Sequence, residues 1–229
     1  MCGRYNLKTS QQELREVFDV LRGDNFQLVP RYNIAPTQPV LIVRMAEQPE
    51  REFAHVQWGL IPSWAKDPNI GAKMINARSE TVQTKPAFRA AFKRRRCLIP
   101  ANGFYEWKQQ GRSKQPHLIQ LQGEQVFGFA GLWETWCDPE GGELSTCTII
   151  TTAANELLQP LHERMPVILR PEDHEEWLTC PEEDIESLHH LMGPFPSQLM
   201  QVREVDAWVN SARHEGPRCE QSPARGLFD

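Results

Sequence analysis

The sequence predicts an α+β domain, mainly antiparallel strands curved into a barrel-like sheet with flanking helices. Three observations predict it. Seven short runs rich in β-branched and aromatic residues are separated by Gly and Pro breaks. Only a few windows carry the 3.6-residue apolar period of a helix. The 229 residues, 40% apolar and 24% charged, suit one domain of ordinary size, and the apolar runs form no second self-contained set.

The elements follow in chain order. Ser10 and Glu13 form a capping box, and Leu14, Val17, Phe18 and Leu21 follow at helical spacing, which predicts an amphipathic helix over 10–22. The β-type runs occupy 40–45, 53–58, 97–100, 103–108, 116–121, 126–133 and 146–152. Pro86 opens a second helix to about Arg95, with Phe88, Ala91 and Phe92 inward and Arg89, Lys93, Arg94 and Arg95 outward. Two more helices fit 171–178 and 181–192, the latter stopped by Gly193-Pro194. The domain is expected over 1–217. The Gly-, Pro- and Ser-rich end from His214 reads as disordered, with 218–229 a tail.

Composition and charge exclude several classes. No apolar run approaches the ~20 residues of a membrane helix. The start, MCGRYNLKTSQQELR, lacks a secretory apolar core, so a cytoplasmic location is expected. The six cysteines form no CxxC pair, which argues against zinc and for free, mostly buried thiols. His174 and His189-His190 invite a metal reading but lack partners at suitable spacing, so no metal and no cofactor are expected. The net charge of −5 hides an asymmetry: residues 73–115 carry 11 basic and 2 acidic side chains, and residues 116–229 carry 6 and 20. A basic segment of that density is a candidate nucleic-acid footprint.

Cys2 is the most reactive candidate. Removal of Met1 would leave a 1,2-aminothiol, with amine and thiol pKa values near ~8 and ~8.5. The amine condenses with an aldehyde to an imine, and the neighbouring thiol then closes a five-membered thiazolidine. An internal cysteine cannot do this, because its nitrogen is an amide. The alternative is a cysteine that happens to be second. Other residues gather weight around it. Arg4 could hold an anion or be a surface charge. Asn76 and Arg78 share one face of an extended INAR segment. Glu106, between Tyr105 and Trp107, is a candidate acid/base or an exposed strand charge. His162 and Arg164 precede an apolar run. Trp64 and Trp107 could stack on bases or plug the core. Lys73 and the run Lys93–Arg96 could extend a groove or form a solvated face.

MCGR, RYNIAPTQ, WGLIPSW, INARSET, CLIPANGFYEWK, the stretch from Thr151 to Asn155, and HERMPVIL resemble, in order, the blocks of the SOS-response-associated peptidase family, over Cys2 to about Pro217. The tryptophan doublet of some members is Trp64-Ala65 here. The resemblance implies a single β-rich domain that captures abasic sites in single-stranded DNA covalently, through a thiazolidine on Cys2, after autoproteolytic loss of Met1. It implies that Asn76, Glu106 and His162 surround Cys2. Arg4, Asn33, Trp64, Lys73, Arg78, Thr151 and Arg164 are then the expected DNA-binding set. The expected partners are abasic single-stranded DNA and the replication machinery, with the chain a nucleoid-associated monomer. Two rivals remain. One is an N-terminal-nucleophile amidohydrolase of the glutamine type, with Asn102-Gly103 as its oxyanion hole. The other is a noncatalytic reader of modified DNA.

Overall fold

The computed structural model describes residues 2–22, 28–46, 50–138 and 140–223. Its strands are β1 (Tyr5–Leu7), β2 (Val20–Arg22), β3 (Arg31–Ile34), β4 (Pro39–Met45), β5 (Arg51–Trp58), β6 (Asn76–Arg78) and β7 (Arg96–Ala101). They continue as β8 (Gly103–Gln110), β9 (Ser113–Leu121), β10 (Phe127–Cys137), β11 (Glu143–Ala153), β12 (Arg164–Pro166), β13 (Ile168–Leu169) and β14 (Met200–Glu204). The α-helices are α1 (Gln11–Phe18), α2 (Arg89–Arg94) and α3 (His174–Thr179). No helix among the described residues is long and apolar enough to cross a membrane.

Two sheets carry the fold. One runs β14-β9-β8-β1-β3, antiparallel throughout. In the other, β11, β10, β7, β4 and β5 pair in turn, and β5 returns to pair with β11 in parallel at Gln57–Thr146 and Trp58–Cys147. That last pairing closes the expected barrel. Closure removes the exposed sheet edges that would otherwise template further pairing. Gly131 allows the β10–β7 contact to be close: a Cβ there would stand 2.9 Å from Ile99 and 3.0 Å from the Cys97 thiol.

An aromatic cluster joins the two sheets. Tyr5 of β1 meets Trp58 of β5 and Phe129 of β10 edge-on, at 5.4 and 5.9 Å, and Phe104 of β8 meets Phe129 at 5.9 Å. All four rings are buried, and each pair adds about 0.5–1.5 kcal/mol beyond burial of its area. The cluster fixes the chain start against the barrel.

Three expectations are corrected here. Helix α1 ends at Phe18 rather than residue 22. Asp19 adopts a left-handed conformation (φ 51°) and its N–H returns to Arg15, after which residues 20–22 pair with the edge of β5. Leu21, expected on the inward face, is therefore exposed.

The end of the chain is not a loose tail from His214. Pro217–Glu220 forms a 3₁₀ turn with Cys219 buried, and Glu220 accepts from Asn6 Nδ2 (2.7 Å) and Lys8 Nζ (2.8 Å). Local composition is outweighed by charged hydrogen bonds to the chain start. Residues 224–229 of the expected tail lie outside the described residues.

The basic run is also not a free face. Lys93 and Arg94 both pair with Glu182, and Arg95 pairs with Glu134. Arg96 is buried and donates to the carbonyls of Phe92, Lys93, Trp177 and Cys180. The acidic second half of the chain folds back on the basic middle and neutralises this part of it.

Candidate functional site

β8 builds the site. Tyr5 pairs with Phe104 and Asn6 with Gly103, and the Tyr105 N–H donates to the Arg4 carbonyl at 3.0 Å. Continued toward the chain start, that register sets Gly3 opposite Glu106, and the Glu106 carboxylate is near enough to Cys2 to act on its thiol. Cys2 is fully buried. Burial pushes its thiol well above the ordinary cysteine range, and the Glu106 carboxylate pushes it the same way. The thiol is therefore protonated at neutral pH.

Asn76 enters from β6, which lies parallel to β11. Its Nδ2 donates to the Cys2 carbonyl at 2.9 Å. Trp58 supports this strand from below, its indole N–H donating to the Ile75 carbonyl. Gly59 makes the turn possible. Its φ is +126°, and a Cβ would stand 2.6 Å from the Gly71 carbonyl oxygen. The two tryptophans of WGLIPSW thus part ways: Trp58 plugs the core and Trp64 is exposed.

Arg4, Glu106, Trp107, Lys114, His162 and Asn210 line one cleft of about 520 Å³. Nδ1 of His162 accepts the backbone N–H of Arg164 at 3.0 Å. The neutral ring therefore carries its proton on Nε2. Arg4 donates to Asn33 Oδ1 (2.7 Å) and to the carbonyls of Val209 (2.9 Å) and Asn210 (3.3 Å). Its guanidinium is thus held from behind while it lines the cleft, 5.8 Å from the Trp107 ring. Among the described residues no group of three or more His, Cys, Asp or Glu side chains is arranged to hold a metal ion.

The expected catalytic residues are linked in pairs. Asn76 holds Cys2, Glu106 acts on its thiol electrostatically, and Glu106 and His162 share the cleft. The expected DNA-binding set divides. Trp64 and Lys73 line one shallow depression of about 320 Å³, together with Lys66 and Ile70, and Arg78 is exposed on β6.

Asn33 and Thr151 are corrected: both are fully buried and spent on the fold. Asn33 Nδ2 donates to the carbonyls of Val209, Ser211 and His214. Thr151 Oγ1 donates to the Ala77 carbonyl and accepts from Arg164 Nε. Arg164 is nearly buried, its fork paired with Glu80.

Sequence reasoning missed Lys114 and Asn210. The β8–β9 hairpin register, with Gln109 opposite Lys114, was the signal for the first. Nothing local marked Asn210, whose side chain accepts from the Trp107 indole at 2.7 Å. Asn102 does not serve the amidohydrolase reading. Its Oδ1 accepts from the backbone N–H groups of Lys8 and Thr9 and its Nδ2 donates to Thr9 Oγ1, so it clamps a turn.

A closed barrel that buries a cysteine against a carboxylate and an amide, beside a cleft that holds a histidine, defines a class of β-barrel proteins built around a buried cysteine. The chain belongs to the SOS response associated peptidase (SRAP) family, whose model matches residues 1–212. It is 42% identical over 227 residues to the abasic site processing protein YoqW of Bacillus subtilis (strain 168), covering 97% of this chain and 100% of that one. It is 34% identical to the abasic site processing protein HMCES of Gallus gallus, covering 83% of this chain and 65% of that protein. Among solved structures, a crystal structure of a protein from Bacteroides thetaiotaomicron superposes with a TM-score of 0.84. It is 27% identical and covers 96% of this chain and 99% of that one.

Proposed function

We propose that this chain processes abasic sites in single-stranded DNA by trapping the open-chain sugar aldehyde on Cys2, once Met1 has been removed. The observation that carries the reading is the setting of Cys2. It is held at its carbonyl by Asn76 and at its thiol by the field of Glu106, next to a cleft shared by Glu106, His162 and Arg4. The names of its relatives, abasic site processing proteins, support the substrate class.

The chemistry follows from the groups present. An abasic deoxyribose is mostly a closed hemiacetal, so ring opening comes first. His162 presents a donor at Nε2, suited to hydrogen-bonding the ring oxygen, while Glu106 takes the proton of the hemiacetal hydroxyl and passes it to the ring oxygen as the C1′–O4′ bond breaks, ending as the carboxylate. The Cys2 amine then adds to C1′ and gives a carbinolamine. Loss of water gives the imine, with Glu106 accepting a proton from nitrogen and returning one to the departing hydroxyl. General acid/base help of this kind is worth about 10²–10⁴-fold. Finally sulfur adds to the imine carbon, and the thiol proton passes to nitrogen. The raised thiol pKa fits this order, because the neutral thiol waits until the imine exists and Glu106 can relay its proton. Asn76 fixes the cysteine backbone and thereby the attack geometry. The cations Arg78 and Lys73 and the exposed ring of Trp64 supply backbone and base contacts that do not depend on sequence. The covalent product would shield the lesion from strand cleavage.

Intact-mass analysis with a uracil-excised single strand tests the reading. The expected adduct is the sum of the mature chain and the strand less one water, and borohydride leaves its mass unchanged because a thiazolidine has no C=N bond, whereas an imine gains two hydrogens. Cys2→Ala is expected to give only the adduct that gains two hydrogens, or none. An adduct of unchanged mass after borohydride in Cys2→Ala, or full trapping by protein that retains Met1, would overturn the proposal. Ammonia release from glutamine would instead favour the amidohydrolase.

A further inference from the structure

We infer that Glu80 stands in for a phosphate: its carboxylate fills the guanidinium fork of Arg164, must be displaced by the DNA backbone, and so weakens the grip on strands that carry no lesion. The inference rests on the DNA reading above and adds a specificity-determining residue to it.

The geometry is that of phosphate recognition with a carboxylate in place. Arg164 Nη1 and Nη2 donate to the two oxygens of Glu80 at 2.8 and 2.9 Å. A guanidinium fork accepts the paired oxygens of a carboxylate or of a phosphodiester in the same planar way. The carboxylate lies on the solvent side: the side chain of Arg164 is 10% exposed and that of Glu80 is 52%. A ligand reaching Arg164 from solvent therefore meets Glu80 first. The exposed Arg78, two residues earlier in the chain, adds a second positive field at the same carboxylate. Two cations around one acid make a site for one anion, presently occupied by the protein itself.

The fork does not depend on Glu80 for its position. Arg164 Nε donates to Thr151 Oγ1 (3.3 Å) and Nη2 to the Thr151 carbonyl (2.6 Å). Removing the carboxylate leaves the guanidinium pinned and aimed outward. Nor is His162 disturbed, because it is held by the backbone N–H of Arg164 and not by its side chain. A part-exposed ion pair is weak enough to be exchanged for a backbone phosphate. The exchange weakens every noncovalent encounter equally. A strand with an aldehyde is then retained by its bond to Cys2, whereas an intact strand, having no such bond, is released. Glu80 thus shifts discrimination from binding to chemistry.

The test measures fluorescence anisotropy of an intact labelled single strand with the full chain, over a salt series, for wild type and for Glu80→Gln, Glu80→Ala and Glu80→Asp. Gln and Ala are expected to bind roughly fivefold tighter at low salt. Their log K against log salt is expected to keep the wild-type slope, because Arg164 meets the same phosphate in both proteins. Asp, which keeps the charge, is expected to stay near wild type. Binding by the near-isosteric Gln variant that is unchanged or weaker overturns the inference, and thermal melts confirm that this variant is folded. The two readings fail separately. A wild type that traps abasic strands while Gln holds intact strands no tighter sinks this inference alone. A wild type that neither binds nor traps any strand sinks the function.

Discussion

The backbone N–H of Arg164 points at Nδ1 of His162 across 3.0 Å and leaves Nε2 as the protonated nitrogen of the neutral ring. In the proposed reaction His162 therefore meets substrate as a hydrogen-bond donor. His162→Ala is expected to slow trapping by about 10²-fold, the worth of one positioned donor. His162→Gln, which keeps a donor near the Nε2 position, should recover part of that rate. Quenched time courses at saturating abasic strand check both. A Gln variant as slow as the Ala variant would rule out donation as the role of His162.

In the proposed DNA surface, availability of charge counts for more than its amount. Lys93 and Arg94 are paired with Glu182, whereas Lys73 and Arg78 are exposed and Trp64 is 59% exposed. The double change Lys93→Ala/Arg94→Ala is expected to alter single-strand affinity less than about twofold, since those charges are already compensated. Trp64→Ala is expected to cost about 1–3 kcal/mol, the worth of one stacked base. Anisotropy titrations at fixed salt compare them. The reverse ranking would move the footprint to α2.

Buried His174 makes stability fall in acid. It stacks on Phe18 at 5.2 Å, and burial, followed by the nearby Arg51 charge, lowers its pKa to about 4. The unfolded chain binds this proton from about pH 6.5 downward and the folded chain does not. The contribution is thus complete above pH 6.5 and is lost as pH falls from 6.5 toward 4. The loss is roughly 3 kcal/mol by pH 4, on the order of 10 °C in melting temperature. His174→Leu should melt with a smaller difference between pH 7 and pH 4 than wild type does. Equal differences would rule out His174 as the acid-sensitive group.

The end of the chain holds its beginning. Glu220 binds Asn6, Lys8 and Arg203, and the carbonyls of Val209 and Asn210 hold Arg4. Glu220→Ala is expected to lower stability by about 1–3 kcal/mol, because it strands partly buried donors. It should also raise amide exchange in residues 4–8, which hydrogen-exchange mass spectrometry reads directly. Unchanged exchange there would mean that the aromatic cluster alone orders the chain start.

The sequence by itself marked the reactive residue types and most of the strands. A cysteine at position 2, a carboxylate between aromatics at 106 and a histidine at 162 need no fold to be recognised as reactive types, and strand periodicity is local. Helix α1 misled only at its end, where Asp19 in a left-handed turn and pairing with the start of β5 outweighed the continuing apolar period. The tertiary structure alone decided which of the equivalent-looking side chains are available. Asn33 and Thr151 went into the core, Trp58 and Trp64 separated, and Arg95, Arg96 and Arg164 found carboxylates or carbonyls 39 to 84 residues away. A side chain's charge is written at its own position. Whether that charge is free depends on partners brought close only by folding, and no local pattern encodes them.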